Sequence, residues 1–276
     1  MSSEALIEKY FRPGRLPHIW CPGCGNGIVT GCIVRAIDQL QLKQDDVAVV
    51  SGIGCSSRAS GYLDFNTVHS AHGRALPVAT GVKLGNPNLN VVVISGDGDC
   101  TAIGGNHFIH AARRNVDLTL VVFNNSIYGM TGGQYSPLTP FGSKATTAPY
   151  ATVDHDFDLA ELAKAAGATF VARATTFHAT LLTDLIAKGI EHKGFSVIEA
   201  VSACPTSFGR QNKMGGPAEM ILWQRDHGVM KAAWDKMTAE QKQGKFPIGI
   251  LHEDNTKVEY NAAYDEVIKR AQEAKK

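Results

Sequence analysis

The sequence lacks several features by which common classes of protein are recognised. It has no basic run and no interleaving of basic with aromatic residues, and its 27 Lys and Arg are balanced by 26 Asp and Glu. We therefore expect no nucleic-acid partner. Its hydrophobic runs stay well short of the ~20 residues that a membrane-spanning helix needs, so we expect no membrane partner. The N-terminal residues MSSEALIEKYF lack the apolar core of a signal peptide, which predicts a cytoplasmic protein.

Two familiar phosphate-binding motifs are also missing. No G-x-G-x-x-G follows a predicted strand, and no G-x-x-x-x-G-K-[ST] occurs, which argues against a dinucleotide site and a P-loop. What the chain does have is enough apolar material for a sizeable core, since 44% of its 276 residues are hydrophobic. It also has six cysteines, which in a cytoplasmic chain are more often thiols or metal ligands than disulfides.

The hydrophobic pattern alternates short apolar runs with helical segments from Val47 to Val201. This alternation predicts an α/β fold, a doubly wound and mostly parallel sheet. Residues 1–20 are polar and interrupted by prolines, so we expect an extended N-terminal arm. We assign 21–210 to the main domain and 211–276 to a helical C-terminal extension.

The stretch from Asn90 to Gly133 is the most informative part of the chain. Its apolar strands end in Gly96-Asp97-Gly98-Asp99 and in Asn124-Asn125, with a predicted helix between them. Because parallel strands place their carboxyl ends at the same edge of a sheet, Asp97 and Asn125 should face a common crevice. A carboxylate and an amide oxygen suit Mg²⁺, which often completes its coordination with waters and phosphates. Either dipeptide alone is also a common turn or strand ending.

Two further strand ends carry residues that could act chemically. The strand at 46–51 is followed by Gly-Ile-Gly-Cys55-Ser-Ser-Arg58, and the strand at 196–201 is followed by Ala-Cys204-Pro. We expect these side chains at the same edge as Asp97. The segment at 134–149 is rich in Gly, Pro, Ser and Thr, and its length is typical of a lid or an interface loop.

The N-terminal cysteines form a short chelating motif. Cys21-Pro-Gly-Cys24-Gly puts two thiols two residues apart, with glycines that let the backbone turn around a metal. Alone, this motif is compatible with zinc, redox or cluster chemistry. Cys55 and Cys204 are the best remaining pair, and four thiolates would complete a shell for a [4Fe–4S] cluster or for structural zinc.

The remaining two cysteines fit structural roles. Cys32 lies on the apolar side of a helix predicted at 28–42, where a small core residue is expected. Cys100 directly follows the Gly-Asp-Gly-Asp turn, and helix packing explains it without a ligand role.

Taken together, these motifs resemble a known family. Gly-Asp-Gly followed after nearly thirty residues by Asn-Asn resembles the thiamine diphosphate signature. The wider set resembles the β subunits of 2-oxoacid:ferredoxin oxidoreductases, most of all the 2-oxoglutarate class, over roughly residues 18–210. The motifs that carry this wider resemblance are CPGCGNG, SGIGCSSR, HGRALPVATG, GDGD, NNSIYGMTGGQ and ACPTSFG, in this order.

The resemblance implies three cofactors and the residues that bind them. Mg²⁺ would be held by Asp97, Asn125 and the backbone carbonyl of Ile127. A [4Fe–4S] cluster would be held by Cys21, Cys24, Cys55 and Cys204. Thiamine diphosphate would be contacted by Ile53, Gly54, Cys55, Ser56, His72, Gly98, Asp99, Gly129, Met130 and Thr131. Arg58 and His72 would be the catalytic side chains, with Arg58 reaching the substrate carboxylate.

The resemblance also implies a reaction and partners. The reaction would be the coenzyme A-dependent oxidative decarboxylation of 2-oxoglutarate to succinyl-CoA and CO₂, or its reverse, with electrons passed to ferredoxin. Pyruvate and branched-chain 2-oxoacids are alternative substrates, and a non-oxidative thiamine enzyme and a zinc-stabilised scaffold are alternative functions. A larger α subunit would complete an αβ or α₂β₂ assembly. Some family members carry a lysine where this chain has Gly132, so carboxylate recognition there must differ.

Overall fold

The computed structural model describes residues 2–274 of the chain. Its strands are β1 (Val47–Ser51), β2 (Asn66–His69), β3 (Asn90–Gly96), β4 (Leu118–Asn124), β5 (Phe170–Thr175), β6 (Phe195–Val201), β7 (Gly228–Met230) and β8 (Phe246–Glu253). Its α-helices are α1 (Ser3–Tyr10), α2 (Asn26–Gln39), α3 (Gly54–Ser57), α4 (Ala59–Tyr62), α5 (Ala75–Gly85), α6 (Asp97–Thr101), α7 (Gly105–Arg114), α8 (Leu159–Ala166), α9 (Ala179–Glu191), α10 (Pro217–His227), α11 (Lys231–Trp234), α12 (Ala239–Lys242) and α13 (Tyr260–Glu273). A short π-helix occupies Pro205–Gly209.

All eight strands belong to one sheet in the order β2-β1-β3-β4-β6-β5-β8-β7. The pairs from β2 to β5 are all parallel, whereas β8 pairs antiparallel with β5. Helices cover both faces, since α2 and α9 pack on one side and α5, α7 and α8 on the other. The predicted doubly wound α/β fold is confirmed.

The alternation within each central strand explains why helices are needed on both faces. In β1, Val47 and Val49 point into the core under α2, while Ala48 and Val50 point into the core under α5. Because a strand places successive side chains on opposite faces, a continuous apolar run can be buried only between two helical layers. The apolar runs therefore determine the three-layer architecture.

The prediction of an extended arm over residues 1–20 was wrong for its first half, which forms helix α1. Ser2 caps this helix, with its hydroxyl accepting from the Ala5 N–H at 3.2 Å. Leu6 and Tyr10, four residues apart, are buried against the main domain. The Tyr10 ring stacks on Phe65, with 5.5 Å between the ring centroids. The polar composition concealed this narrow apolar stripe.

The helical extension predicted over 211–276 contains helices α10–α13, but the prediction missed β7 and β8, which extend the central sheet. The segment that forms β8 contains Pro247 and Gly249, and both residues normally argue against a strand interior. Gly249 adopts φ +109°, a conformation that side-chain-bearing residues avoid, and the pairing of β8 with β5 is irregular nearby. Pro247 lies farther along β8, where the strand pairs with Val229 of β7.

The edge strand β2 and the long loop after β4 differ in how well the sequence predicted them. The short edge strand β2 was not predicted, because its residues are polar and mostly exposed. The segment between β4 and α8, which the structure describes throughout, contains no helix or strand, as expected for a long loop. Among residues 2–274, no helix has the length and apolar character needed to cross a lipid bilayer.

Candidate cofactor and cluster site

The candidate site lies at the carboxyl edge of the sheet, where β1, β3, β4 and β6 end side by side. Register pairs Ser51 with Ile94, Gly96 with Phe123, and Asn124 with Val201. The turns that follow these strands therefore open at one edge, as expected for ligand sites in open α/β sheets.

One cleft between these turns collects most of the predicted cofactor contacts. It is lined by Ile53, Gly54, Cys55, Ser56, Gly96, Asp97, Gly98, Asp99, Phe123, Asn125, Ile127, Tyr128, Gly129, Met130 and Thr131. The expected proximity of Asp97 and Asn125 is thus confirmed. Of the predicted thiamine contacts, His72 alone is outside the lining, and it reaches the cleft through a hydrogen bond to Asp99.

The oxygen atoms around Asp97 and Asn125 fit a hard cation. Asp97 is 2% exposed, and its burial raises the pKa of the carboxyl to about 7. Ser136 donates a hydrogen bond to Oδ2 of this carboxylate. The Oδ1 atom of Asn125 is buried and has no hydrogen-bond partner within residues 2–274. An ionised buried carboxylate and an orphaned amide oxygen each need a positive partner, and Mg²⁺ would satisfy both.

The carboxylate of Asp99 is held by protein donors, and the predicted contact of this cleft residue with the cofactor stays a prediction. Oδ2 accepts from the backbone N–H of Ile53 at 3.2 Å and from the Ser95 hydroxyl at 2.8 Å. Oδ1 accepts from the backbone N–H of Gly73 at 2.7 Å and lies 2.6 Å from Nδ1 of His72. The Asp99 carboxylate therefore joins the segments of Ile53 and of His72–Gly73 to the end of β3.

Tyr128 is a cleft residue that the sequence did not reveal. Its hydroxyl donates to the backbone carbonyl of Gly98 at 2.7 Å, and its ring meets the edge of the His72 ring at a centroid distance of 5.8 Å. A Cβ atom at Gly98 would overlap the Tyr128 ring. The second glycine of the Gly-Asp-Gly motif is therefore required here by its packing against Tyr128.

The four predicted cluster cysteines converge on one side of this cleft. The Sγ atoms of Cys55 and Cys204 each lie 3.5 Å from the position that a Cβ on Gly129 would take. The Cys21–Cys24 turn is closed by a hydrogen bond from the Cys24 N–H to the Cys21 carbonyl at 3.0 Å. The next residue, Gly25, donates to Ala203 at 3.3 Å, which brings the turn beside Cys204.

Electrostatics also link the four thiols. Burial, with a smaller contribution from the neighbouring Cys204, Cys55 and Cys21, raises the pKa of Cys24 to about 12. Burial raises the pKa of Cys55 to about 11, with Cys204 and Cys21 again adding to the effect. If deprotonated, these thiols would need positive charge nearby, which the iron of a cluster would supply.

The thiols are spaced more widely than the ligands of one ion. Across the described range, 2–274, no three His, Cys, Asp or Glu side chains are gathered closely enough to hold a single metal ion. In a [4Fe–4S] cluster each thiolate binds a different iron, so its ligands stand farther apart than those of a zinc ion. The four thiols therefore do not form a single-ion site, and four cysteine thiolates are the donors that a [4Fe–4S] cluster uses. Cys32 and Cys100, 1% and 2% exposed, lie in the two hydrophobic cores, as predicted for structural residues.

Two expectations about substrate recognition concern Arg58 and Gly132. Arg58 is exposed between α3 and α4 and is not among the residues that line the cleft. Its role in binding a carboxylate stays a prediction. Gly132 adopts φ +125°, so a lysine at this position would be strained in the observed backbone conformation. The turn after β4 is thus shaped for glycine.

Other polar residues of the site were missed because nothing in the sequence marks them. Ser136 and Thr139 come from the long loop, and Thr139 donates to the backbone carbonyl of Ser126 at 2.6 Å. Arg173 and Glu199 form an ion pair of 2.7 Å behind the same turn. Arg173 and Glu199 sit within apolar strands, and only the pairing of those strands brings them together.

Comparison with known proteins agrees with this geometry. Residues 52–200 match the family model described as thiamine pyrophosphate enzyme, C-terminal TPP binding domain. The chain is 53% identical over 241 residues to 2-oxoglutarate synthase subunit KorB of Methanocaldococcus jannaschii, an alignment covering 87% of this chain and 89% of the relative. It is 57% identical over 203 residues to the subunit of the same name from Archaeoglobus fulgidus, covering 74% and 76%.

A solved structure is similar over nearly the whole length. The 2-oxoglutarate:ferredoxin oxidoreductase from Magnetococcus marinus, determined with 2-oxoglutarate, coenzyme A and succinyl-CoA bound, superposes with a TM-score of 0.86 at 33% identity. The match covers 96% of this chain and 90% of that chain. The fold and site thus define a thiamine diphosphate-binding domain of the kind found in thiamine pyrophosphate enzymes. Within that class, the chain belongs to the β subunits of the 2-oxoacid:ferredoxin oxidoreductases, a family of oxidoreductases.

Proposed function

We propose that this chain is the catalytic β subunit of a 2-oxoglutarate:ferredoxin oxidoreductase, which forms succinyl-CoA and CO₂ from 2-oxoglutarate and coenzyme A. One observation carries the proposal. Gly129 lines the cleft with the oxygen ligands and also adjoins the thiols of Cys55 and Cys204. A cofactor in the cleft and a cluster on the thiols would be neighbours, so electrons could pass between them within this chain.

In the oxygen-lined part of the site, Asp97, Asn125 and the Ile127 carbonyl would hold Mg²⁺. The ion would in turn bind a diphosphate next to the glycine-rich turn. Thiamine diphosphate, when bound, supplies the carbanion and the electron sink that decarboxylation of a 2-oxoacid requires. The protein's part is to orient the cofactor and exclude water, with His72 held beside the cleft by Asp99 and Tyr128.

In the thiol-lined part, Cys21, Cys24, Cys55 and Cys204 would hold one [4Fe–4S] cluster. The support is the approach of Cys55 and Cys204 to Gly129, the hydrogen bond from Gly25 to Ala203, and the influence of neighbouring thiols on the pKa of Cys24 and Cys55. Such a cluster accepts electrons one at a time, and ferredoxin would carry them away. Free thiols and a reduced cluster suit a reducing compartment, so we place the protein in the cytoplasm.

A second subunit would complete the active site. The chain contains the diphosphate-binding type of domain once, and thiamine enzymes need a complementary domain to activate the aminopyrimidine ring. The similar proteins are named as subunits, which supports a larger α partner in an αβ or α₂β₂ assembly. The exposed loop residues Tyr150 and Val153, 96% and 82% exposed, are available for that contact.

The substrate proposal rests on the relatives. Several carry 2-oxoglutarate in their names, and the Magnetococcus marinus enzyme was determined with 2-oxoglutarate bound. Arg58 is exposed on the helix pair that follows β1, and we propose that it pairs with a carboxylate of the acid once the partner covers the site.

The proposal is tested by anaerobic co-expression with the larger subunit. Purified complex should reduce a viologen dye when given both 2-oxoglutarate and coenzyme A, and should work less well with pyruvate. The chain purified alone, with its iron intact, should show no turnover. A complex that turns over pyruvate faster would correct the substrate, and a protein without absorbance near ~400 nm would refute the cluster.

A further inference from the structure

The turn that carries the proposed magnesium ligands is held from behind by Asn124, the last residue of β4. Its side-chain Nδ2 donates to Oε1 of Glu199 at 2.7 Å. Its Oδ1 accepts from the backbone N–H of Ser126 at 3.1 Å. One amide group therefore links a buried side chain of β6 to the backbone of the turn.

Ser126 is the point at which this turn needs support. It adopts φ +60°, in the left-handed region that residues other than glycine rarely occupy. Its N–H is held by Asn124, and its carbonyl accepts from the Thr139 hydroxyl at 2.6 Å. Since Ser126 lies between Asn125 and Ile127, its backbone angles set the directions in which both proposed ligands point.

Glu199 is in turn held by Arg173. Oε2 of Glu199 accepts from Nε of Arg173 at 2.7 Å, and Nη2 of Arg173 donates to Asp158 at the same distance. Glu199 is 4% and Arg173 6% exposed. A buried carboxylate needs a partner that compensates for its lost hydration, and the guanidinium of Arg173 provides it. Arg173 therefore places Glu199 to accept from Asn124.

We propose that Arg173, Glu199 and Asn124 form a positioning relay that fixes the magnesium-binding geometry of Asn125 and Ile127. This inference rests on the proposed function of the cleft. The residues touch neither the cofactor nor the substrate in our proposal, so they act through the turn. An ion pair across β5 and β6 would stabilise the sheet in any protein, but here the second oxygen of Glu199 is used to hold the turn.

The decisive variant is Glu199→Gln. Asn124 and Arg173 donate to different oxygens of Glu199, and glutamine replaces one of these oxygens by an NH₂ donor, so one of the two bonds is lost in this geometry. The matched control is Asp117→Asn, which removes the charge from another buried carboxylate. Oδ2 of Asp117 lies 2.7 Å from Nζ of Lys83. The side chain of Asp117 is 13% exposed and that of Lys83 is 5% exposed. The corresponding side-chain values for Glu199 and Arg173 are 5% and 7%.

Both variants should be made in the full complex, stripped of cofactor. Manganese(II) replaces magnesium, and its binding in the presence of thiamine diphosphate is followed by electron paramagnetic resonance, alongside the thermal midpoint. We expect both variants to melt earlier. Glu199→Gln alone should lose metal affinity, by about 10- to 100-fold, as is typical when a partner of a metal ligand is removed. Asp117→Asn should bind the metal like the wild type.

A second pair of variants tests the relay if Glu199→Gln does not assemble. Asn124→Ala leaves the ion pair intact but releases the N–H of Ser126, and it should weaken metal binding to a similar degree. Adding Ser126→Gly should recover part of the loss, because glycine adopts a positive φ without support.

The outcomes separate the two proposals. Unchanged metal affinity in Glu199→Gln or in Asn124→Ala, or an equal loss in Asp117→Asn, would overturn the relay while leaving the proposed function intact. Wild-type complex that binds thiamine diphosphate without any need for a divalent metal would overturn both.

Discussion

Ser136 donates a hydrogen bond to Oδ2 of Asp97 across 39 residues of sequence, so the long loop after β4 contributes directly to the oxygen-lined cleft. Ser136 is 2% exposed, and its backbone N–H is bound by the Thr139 hydroxyl at 2.8 Å. By occupying Oδ2, Ser136 leaves the other carboxylate oxygen of Asp97 for a metal. The first part of this loop is therefore built into the site rather than lying over it as a lid.

Replacing Ser136 by alanine should weaken Mg²⁺-dependent binding of thiamine diphosphate by about tenfold. The reason is that the Asp97 carboxylate would lose the donor that fixes its rotamer. Calorimetric titration of the cofactor-free complex measures the change. Ser143→Ala, in the same loop but not among the residues that line the cleft, is the control and should bind normally. Equal affinities in the two variants would remove Ser136 from the site.

Asn125→Ala should abolish Mg²⁺-dependent cofactor binding, while the cofactor-free protein keeps its fold. The buried Oδ1 has no partner among residues 2–274, so its removal costs little stability without the metal. Asn88→Ala, at an exposed position, should change neither property. The measurement is the same titration, combined with circular dichroism. Full cofactor affinity in Asn125→Ala would show that the ion is held elsewhere.

Cys204→Ser and Cys55→Ser should each lose iron and the visible absorbance of the protein. Cys32→Ala and Cys100→Ala should retain both, because those thiols lie in the hydrophobic cores. Iron and sulfide are determined on anaerobically purified protein. Normal iron in Cys204→Ser, or its loss in Cys32→Ala, would mean that the ligand set is wrong.

Asp158→Asn should lower the thermal stability of the protein near neutral pH. This difference from the wild type should disappear in acid. Burial acts to raise the pKa of Asp158, but Arg173 outweighs it and holds that pKa below the ordinary value of 3.8. A carboxylate with a lowered folded-state pKa stabilises the fold above its unfolded pKa, and the contribution disappears as the pH falls through the folded value. Asparagine can still cap α8, so only the charge is removed. The effect should be modest, because the side chain is 53% exposed.

The measurement is a series of thermal melts of Asp158→Asn and the wild type from pH 7 down to about 3, over which the two thermal midpoints should converge. A difference in midpoint that stays constant with pH would assign the lost stability to packing.

Tyr10→Ala should destabilise the protein by about 3–5 kcal/mol, the usual cost of truncating a buried aromatic residue. Tyr10 is 0% exposed, and its hydroxyl donates to Asp38 at 2.9 Å. Ile7→Ala, on the same helix but 43% exposed, should cost much less. Denaturant titration measures both changes. Equal, small losses would mean that α1 is not docked in solution.

The sequence alone determined the layered fold and the chemistry of the ligands. Strands such as Val47–Ser51 are apolar on both faces, and this pattern can be satisfied only by a sheet between two helical layers. The strand-end rule then placed Asp97, Asn125, Cys55 and Cys204 at one edge without knowledge of any long-range contact. Local patterns carried this information, because strand polarity and residue type suffice to apply the rule.

The tertiary structure decided what those local patterns cannot encode. The bonds of Asp99 to Ile53 and Gly73, and of Ser136 to Asp97, join residues far apart in sequence whose individual positions show no periodicity. Strand β8 was hidden because Pro247 and Gly249 oppose strand formation locally, and pairing with β5 and β7 overrides that preference. The partners of a buried polar group are set by which strands lie side by side, and strand order is a property of the whole chain.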